Sequence, residues 1–455
     1  MTESKSSSFQ WVVLAVTYLF SVAAAMFWFT STSVADGFIM QYIIPNPDLV
    51  SNPNMNLGLL MTDVCITAFV GALFCFLFQD RIGIKVTMVI GALFLIGGGL
   101  IAALSGSDWN LLVGSRFVGG FGIGCAATAA TTAISVWFSE KQRGLAIGIW
   151  GTWVPVAMII NYVILRPFAL GGMIVHDDES GLFINTSIGA PDFAATSTAA
   201  PNIHILFWAG LVVSVIAFIL LLIIYKDPAK GSGSVHVEKG SFGAALKWIG
   251  KRRVIALLLC MLLFTFCNNN FTSFNVAFFT APAIAGGLGF DQTTAGLVAV
   301  VASACGIIAP LFGVIYDKIT PNRKYLMIVV AAVAYIFANI CGFKDWGIPY
   351  LVAYIVFMVI GNASIVASVR PMLPSLVHKG GFSAISLGLA AITFLEFVGQ
   401  LFGPIFGAVA DSSGFGAASL TVGLPVAVVF VFVAFLVRPG KADRLPADAK
   451  PEHIK

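Results

Sequence analysis

The chain has few charged residues. Of its 455 residues only 10% are Asp, Glu, Lys or Arg, whereas 58% are hydrophobic. A soluble globule of this size needs many more polar side chains to cover its surface, so the composition indicates a membrane protein. The formal net charge of +4 is small, and nothing in the charge distribution supports binding to nucleic acid.

The chain also lacks the motifs of common catalytic and metal sites. No glycine-rich loop is followed by Lys-Ser or Lys-Thr, which argues against transport driven directly by ATP hydrolysis. The five histidines form no cluster, and the seven cysteines lie in apolar stretches without metal-ligand spacing. No Ser-His-Asp arrangement can be argued from the order of residues. The sequence therefore predicts no enzyme chemistry, no bound metal and no cofactor.

The chain contains long apolar runs instead. Twelve reach the length of about 20 residues that a helix needs to cross a bilayer. They are 11–36, 57–78, 85–104, 110–137, 144–166, 203–225, 254–280, 294–316, 325–343, 348–376, 382–407 and 416–438. If alternate connections lie on opposite sides, one side receives every Lys and Arg except Arg116, Arg166, Lys344 and Arg370. By the positive-inside rule that side is cytoplasmic and holds both termini, so we expect a multi-pass protein of the plasma (inner) membrane.

Two halves of the chain carry the same marks at one constant offset. The matching marks are Asp80-Arg81 with Asp317-Lys318, Asp108-Trp109 with Asp345-Trp346, and Trp11 with Trp248. Each Asp-basic pair ends one apolar run and precedes another, so the offset joins equivalent places in two copies of one unit. We expect an all-α membrane protein with twelve transmembrane helices in two pseudo-symmetric bundles. The predicted division is a six-helix bundle over 1–225, a cytoplasmic linker over 226–253, a second bundle over 254–440 and a cytoplasmic tail over 441–455.

The loop after the second span of each half resembles a signature of the major facilitator superfamily. The residues that carry the resemblance are Asp80, Arg81, Gly83 and Lys85 in the first copy and Gly313, Asp317, Lys318 and Arg323 in the second. Arg116 followed by Gly120, Gly122 and Gly124 is similar to the family's fourth-helix pattern. The turn that contains Glu140 and Arg143 is similar to the family's turn between the fourth and fifth helices.

The resemblance implies a fold and a mode of action. Two bundles would be related by an axis along the membrane normal, with a substrate site at the midplane that is exposed alternately to each side. It also implies a cytoplasmic conformational latch, although a solvated turn explains the charges of the fourth loop as well. The residues assigned to the latch are Asp80, Arg81, Gly83, Glu140, Arg143, Gly313, Asp317, Lys318 and Arg323.

Four charged residues lie well inside predicted spans. Because a charge at the bilayer centre costs roughly 2.5–3.5 kcal/mol even on an insertion scale, each is expected to face protein or water. Asp63 and Arg116 lie at the same depth of about 9 Å and either pair with each other or serve the site. Arg370 has no acidic residue in its own span and either snorkels to the cytoplasmic surface or binds substrate. Glu396 lies deepest and is the best candidate for a proton-carrying carboxylate, with Asp63 as a second coupling residue.

Uncharged residues mark two further places that we expect to face a cavity. In the first span, Trp28 and Thr30 lie among aromatic and hydroxyl side chains where a lipid-facing helix would carry Leu or Val. In the seventh, Asn268, Asn269 and Asn270 are consecutive. Successive side chains on a helix are about 100° apart, so at least one amide should face a cavity or unwind the helix. The alternatives are hydroxyl bonds to the helix's own carbonyls and amide bonds between helices.

The leading hypothesis is a secondary transporter of a small organic anion, such as a carboxylate, that works by alternating access with proton coupling or exchange. The expected substrate residues are Arg370, Arg116, Asn268, Asn269, Asn270, Trp28 and Thr30. The 39 Phe residues favour, as an alternative, export of amphipathic compounds. A non-transporting membrane receptor is the alternative of another class, and it would need no ionisable residue at the midplane. The expected partners are the substrate, protons or a counter-substrate, and the lipid bilayer, with the chain as a monomer.

Overall fold

The fold is given by a computed structural model, and almost all of the described chain is helical. The structure describes residues 9–51, 53–138, 140–171, 174–177, 182–185, 190–191, 201–227, 242–281, 287–303, 307–344, 348–377 and 381–440. It contains 11 helices that are long and apolar enough to cross a membrane. They coincide with all the predicted spans except the eighth, over 294–316. There, residues 304–306 are not described, and one shorter helix lies before them and another after them.

The first half of the chain consists of long helices separated by short turns. Its helices are α1 (Phe9–Trp28), α2 (Thr30–Ser33), α3 (Ala35–Phe38), α4 (Pro47–Val50), α5 (Pro53–Ile82), α6 (Ile84–Ala103), α7 (Trp109–Trp137), α8 (Glu140–Trp150), α9 (Trp153–Ile159), α10 (Arg166–Leu170) and α11 (His204–Ile223). Residues Ile39–Ile43 and Ile160–Leu165 form π-helical turns. The loop between α10 and α11 holds a small antiparallel sheet that the sequence analysis did not predict. Its strands are β1 (Ile174–Asp177), β2 (Leu182–Asn185) and β3 (Ala190–Pro191), with Ile174 opposite Asn185 and Ile184 opposite Pro191.

The second half repeats this pattern after a short helix from the linker. The linker helix is α12 (Phe242–Ile249). It is followed by α13 (Arg252–Thr280), α14 (Gln292–Ser303), α15 (Ala309–Lys318), α16 (Tyr325–Cys341), α17 (Ile348–Val377), α18 (Gly381–Gln400), α19 (Gly403–Ser413), α20 (Phe415–Ala418) and α21 (Leu424–Leu436). Pro321–Arg323 forms a 3₁₀ turn and Ser419–Gly423 a π-helical turn. The all-helical class predicted for the membrane region is confirmed.

Three spans are interrupted near their middle. The first breaks at Phe29, the fifth at residues 151–152 and the eleventh at residues 401–402. Two of these breaks follow from proline, because its missing N–H would have bonded to the carbonyl four residues earlier. Pro155 removes the helical bond to Gly151, and Pro404 removes the bond to Gln400. The break in the fifth span therefore lies one turn before Pro155.

The helix that carries Arg116 packs closely on its neighbours through glycine. A Cβ at Gly122 of α7 would lie 2.5 Å from the carbonyl oxygen of Gly91 on α6, and a Cβ at Gly120 would overlap the Val64 carbonyl on α5. Only glycine allows backbones this near to each other in a bilayer. These glycines therefore let α7 pack closely against α5 and α6.

The two halves contact each other toward both membrane faces. Toward the end that carries loops 79–85, 139–144 and 317–324, called the basic face below, α8 packs against α15 and α17. Toward the opposite face, α5 packs against α19, and the Met55 N–H donates to Asp411 Oδ2 at 3.1 Å. There, Arg166 also donates to the Ser33 carbonyl and lies against Gly296 of α14. The space left between the halves is therefore bounded by protein contacts on both sides.

Candidate functional site in the central cavity

A cavity lies between the two halves and is lined by residues of both. The first half contributes a mainly aromatic wall that includes Trp28, Phe29, Trp150, Trp153 and Met158. The second half contributes most of the polar groups, which are Asn268, Asn269, Thr272, Asn362, Arg370, Glu396 and Gln400. A cavity with a few polar groups in an otherwise apolar wall is typical of a small-molecule site.

The two charged residues of the cavity form an ion pair. Arg370 Nη2 lies 2.5 Å from Glu396 Oε2, and Arg370 Nη1 donates to Thr393 Oγ1 at 3.2 Å. The guanidinium also lies 5.5 Å from the centre of the Trp150 ring, a distance suited to a cation–π contact. Arg370 has no acidic residue in its own span, but Glu396 of the next span neutralises it.

Depth along the two helices alone does not reveal this pair, because it leaves out the length of the side chains. Arg370 lies seven residues before the end of α17, a depth of about 10 Å, and Glu396 fifteen residues into α18, a depth of about 22 Å. The long side chains close this difference in depth. Arg370 extends away from the basic face, and Glu396 extends toward it. The side chain of Arg370 is 9% accessible and that of Glu396 21%, so the carboxylate is the partner more open to the cavity.

The consecutive asparagines of α13 divide between the cavity and the protein interior. Asn268 Oδ1 accepts from Tyr335 at 2.8 Å and from Asn362 at 3.4 Å, so its orientation is fixed while its amide lines the cavity. Asn269 accepts from Ser273 at 2.9 Å and donates to the Gln400 carbonyl at the break in the eleventh span. Asn270 is buried and does not line the cavity. The helix continues through all three residues, so of the two expected outcomes an amide that faces a cavity is the one observed, and local unwinding is not.

The break in the first span carries Trp28 and Phe29 into the cavity wall, and side chains hold the backbone around it. The Met26 carbonyl accepts from Thr30 Oγ1 at 2.7 Å and from Asn161 Nδ2 at 2.8 Å. Thr30 is thus turned toward the backbone and is absent from the cavity lining. This is the hydroxyl-to-carbonyl alternative, which the sequence analysis left open.

Arg116 also serves this break and lies outside the cavity. It is fully buried, donates to the Phe27 carbonyl at 2.5 Å, and lies 5.0 and 5.6 Å from the rings of Phe27 and Phe207. Asp63 forms no ion pair with it among the contacts of the described residues. The structure therefore brings neither Arg116 nor Asp63 to the cavity, and Arg116 holds the first span in place through its backbone.

Several cavity residues were missed by the sequence analysis. Trp150 and Trp153 stack with ring centres 5.4 Å apart on either side of the break in the fifth span. Asn362 and Gln400 complete the polar wall. The available signal was an amide inside an apolar run, which was used for the asparagine triplet but not for these single residues. For the tryptophans there was no such signal, because aromatic residues occur in every predicted span.

The comparisons with known proteins agree with the fold. A family model described as Major Facilitator Superfamily matches residues 16–384. The chain belongs to this superfamily. Members of this superfamily are membrane transporters, and the described apolar helices are those of a multi-pass membrane protein.

Among curated proteins, the superfamily member that it matches is the H(+)/hexose cotransporter 1 of Parachlorella kessleri. The two are 26% identical over 295 residues, which is 60% of this chain. The chain spans about half the length of that relative, since the match covers 51% of it.

Solved superfamily structures share the fold at low identity. The Escherichia coli fucose:proton symporter has a TM-score of 0.63 at 14% identity, covering 95% of this chain and 99% of that chain. A bacterial homologue of the human lysosomal transporter Spinster has a TM-score of 0.66 at 18% identity, covering 98% and 100%. A D-xylose-proton symporter has a TM-score of 0.62 at 15% identity, covering 94% and 97%. These identities establish the fold alone.

The superfamily loop signature lies at the basic face. Gly83 has a positive φ of 91°, and Asp227 Oδ1 accepts from the Lys85 N–H at 3.0 Å at the start of α6. Lys318 is exposed at the end of α15, and Gly313 and Arg323 lie on either side of it. The side chains of Asp80, Arg81, Glu140, Arg143 and Asp317 lie outside the described part. The latch assigned to these residues stays a prediction.

Proposed function

We propose that the chain is a proton-coupled transporter of a small uncharged solute rich in hydroxyl groups, such as a sugar, which binds in the central cavity. The observation that carries this proposal is the Arg370–Glu396 pair, which lies in a wall of amides opposite stacked tryptophans. Because the two charges cancel, the empty site does not select an anion. Amides both donate to and accept from hydroxyl groups, and an aromatic face accommodates the apolar face of a ring.

The ion pair also provides a route for coupling to protons. Protonation of Glu396 neutralises the carboxylate, so the guanidinium of Arg370 loses its counter-charge and its hydrogen bond to Glu396 weakens, which is costly in an enclosed site. A solute hydroxyl that accepts from Arg370 compensates for the weakened hydrogen bond. Proton and solute therefore favour each other's binding, and the halves close either over the empty ion pair or over the fully loaded site.

A carboxylate is the second candidate, and one observation favours it. The guanidinium of Arg370 presents a planar fork that suits a carboxylate, and its present acceptor is itself a carboxylate. A substrate carboxylate could replace a protonated Glu396 on Arg370 and leave the loaded site neutral. The substrate would then be an organic anion, as in the sequence-based hypothesis, but it would bind Arg370 in place of a protonated Glu396.

The presence or absence of a transport current distinguishes an uncharged solute from a monocarboxylate. The purified chain is first screened for thermal stabilisation by sugars, carboxylates, nucleosides and amphiphiles, and the stabilising ligand is then applied to reconstituted membranes. One proton carried with an uncharged solute moves net positive charge with the solute, whereas one proton with a monocarboxylate moves none. Stabilisation by sugars with such a current supports the proposal. Stabilisation by carboxylates alone, without current, would replace it by the second candidate, and a response to amphiphiles alone would contradict both.

The amides of α13 provide a matched pair of variants. Asn268→Ala removes an amide that lines the cavity, so the apparent KM for the solute should rise about tenfold, as expected for a hydrogen bond to a polar solute. Asn270→Ala removes an amide two positions away that is outside the cavity, and KM should change less than about twofold. Uptake kinetics in proteoliposomes measure both. Equal effects of the two variants would mean that the amides act through helix packing.

A further inference from the structure

The basic face has a corner where the linker helix, the start of α13 and the end of α21 meet. Five basic residues belong to it, namely Lys247, Lys251, Arg252, Arg253 and Arg438. All except Arg253 are exposed. Arg253 Nε donates to the Val437 carbonyl at 3.1 Å and so ties the start of α13 to the end of α21. Residues 242–255 and 430–440 contain no Asp or Glu, so no acidic residue of either segment offsets this charge.

Exposed apolar side chains lie next to these charges along the same helices. On α13, Ile255 is 44% exposed, and on α21, Phe432 and Phe435 are 69% and 47% exposed. Leu246 of α12 is 52% exposed, one residue from Lys247. Trp248 lies under the ammonium group of Lys251, whose Nζ is 3.4 Å from the ring centre. Tryptophan and lysine together at the end of a lipid-facing helix mark the level of the headgroups.

We propose that this corner binds an anionic phospholipid, with the phosphate at Lys251, Arg252 and Arg438 and the acyl chains along α13 and α21. Charge complementarity selects the headgroup, because the corner offers several cations and no acidic side chain of its own segments. The exposed apolar side chains favour a lipid over a free phosphate. Leu246 and Phe432 can contact the acyl chains of a lipid, but they add nothing to the binding of a small ion.

The position of the corner gives the lipid a consequence for the transporter. The linker helix α12 packs against α18, the helix that carries Glu396, and α13 packs against α21. A lipid bridging Lys251 and Arg438 therefore holds the end of the linker against the second half of the chain. Bound lipid should stabilise the second half in addition to binding to its surface.

Lipid retention by the purified full-length chain tests the proposal. Native mass spectrometry is used to titrate the chain with phosphatidylglycerol or with phosphatidylcholine of the same acyl chains. Each basic residue near a membrane surface contributes about fivefold to the binding of an anionic lipid. The double variant Lys251→Gln/Arg252→Gln should therefore bind phosphatidylglycerol about 25-fold more weakly, and the single variant Arg438→Gln about fivefold more weakly. Phosphatidylcholine binding should not change.

A control with the same loss of charge decides whether the corner is specific. Lys226→Gln/Lys318→Gln removes two exposed lysines elsewhere on the basic face, and phosphatidylglycerol binding should be retained. If both double variants lose the same phosphatidylglycerol affinity, the binding depends only on general surface charge, and the proposed site is overturned. Displacement of phosphatidylglycerol by an equal concentration of inorganic phosphate would also overturn it, since the site would then recognise the free ion. Thermal unfolding of each variant verifies the fold, and Arg438→Gln, on another helix, provides the test if the double variant fails to fold.

Discussion

Glu396→Gln abolishes accumulation of the solute against its gradient, while the variant still binds and exchanges it. Glutamine keeps the size of the side chain and can still accept from Arg370, but it cannot bind and release a proton. A pH difference of one unit is worth about 1.4 kcal/mol per coupled proton, so wild type should accumulate the solute about tenfold. The variant should only equilibrate it. Uptake and counterflow in proteoliposomes with an imposed pH difference measure the two activities.

Asp63→Asn is the matched control, because it removes the other carboxylate deep in a span by the same chemical change. Asp63 was a second coupling candidate, but it does not line the cavity. We expect this variant to accumulate the solute as wild type does. Loss of accumulation in Asp63→Asn with normal accumulation in Glu396→Gln would transfer the proton site to the first half of the chain.

Arg370→Ala reduces solute uptake about 10- to 100-fold, which is the effect of removing a hydrogen bond to a charged group together with the partner of Glu396. Arg370→Lys keeps the charge but loses the planar fork, so its uptake should fall about tenfold. Neither variant should unfold the chain, since the pair lies beside a cavity that water can fill. Normal uptake by Arg370→Ala would exclude the guanidinium from both candidate mechanisms.

The double variant Arg370→Ala/Glu396→Ala distinguishes the contribution of the ion pair to stability from the role of the two residues in transport. Removing one partner leaves an unpaired charge in the cavity, whereas removing both leaves none. The double variant should therefore unfold at a higher temperature than Arg370→Ala alone, although neither should transport against a gradient. Additive losses of stability in the two single variants would show that the residues act independently.

Within the described residues, eleven of the twelve spans and most of the polar residues of the cavity could be predicted from the sequence. Length and apolar composition locate a membrane helix, because a bilayer imposes both. The same rule makes each intramembrane charge conspicuous, which identified Arg370 and Glu396. The amide cluster at Asn268 and Asn269 was found for the same reason.

The partners of these residues could not be predicted in the same way. Depth along a helix does not fix where a long side chain ends, so the pairing of Arg370 with Glu396 was missed. Arg116 and Thr30 were assigned to the substrate, yet both bond to backbone carbonyls at the break in the first span. That break could not be foreseen, because no proline lies within the first span. Trp150 and Trp153 lie on either side of the break in the fifth span, which the sequence analysis did not locate.

The most direct test of proton-coupled transport through the central cavity is proton movement itself. Wild-type chain is reconstituted into liposomes that enclose a pH-sensitive dye, with equal pH on both sides, and a ligand that stabilises the purified chain is added outside. Inward movement of the solute with its proton predicts acidification of the interior in wild type and none in Glu396→Gln. Solute uptake by wild type without any change in internal pH would contradict the account.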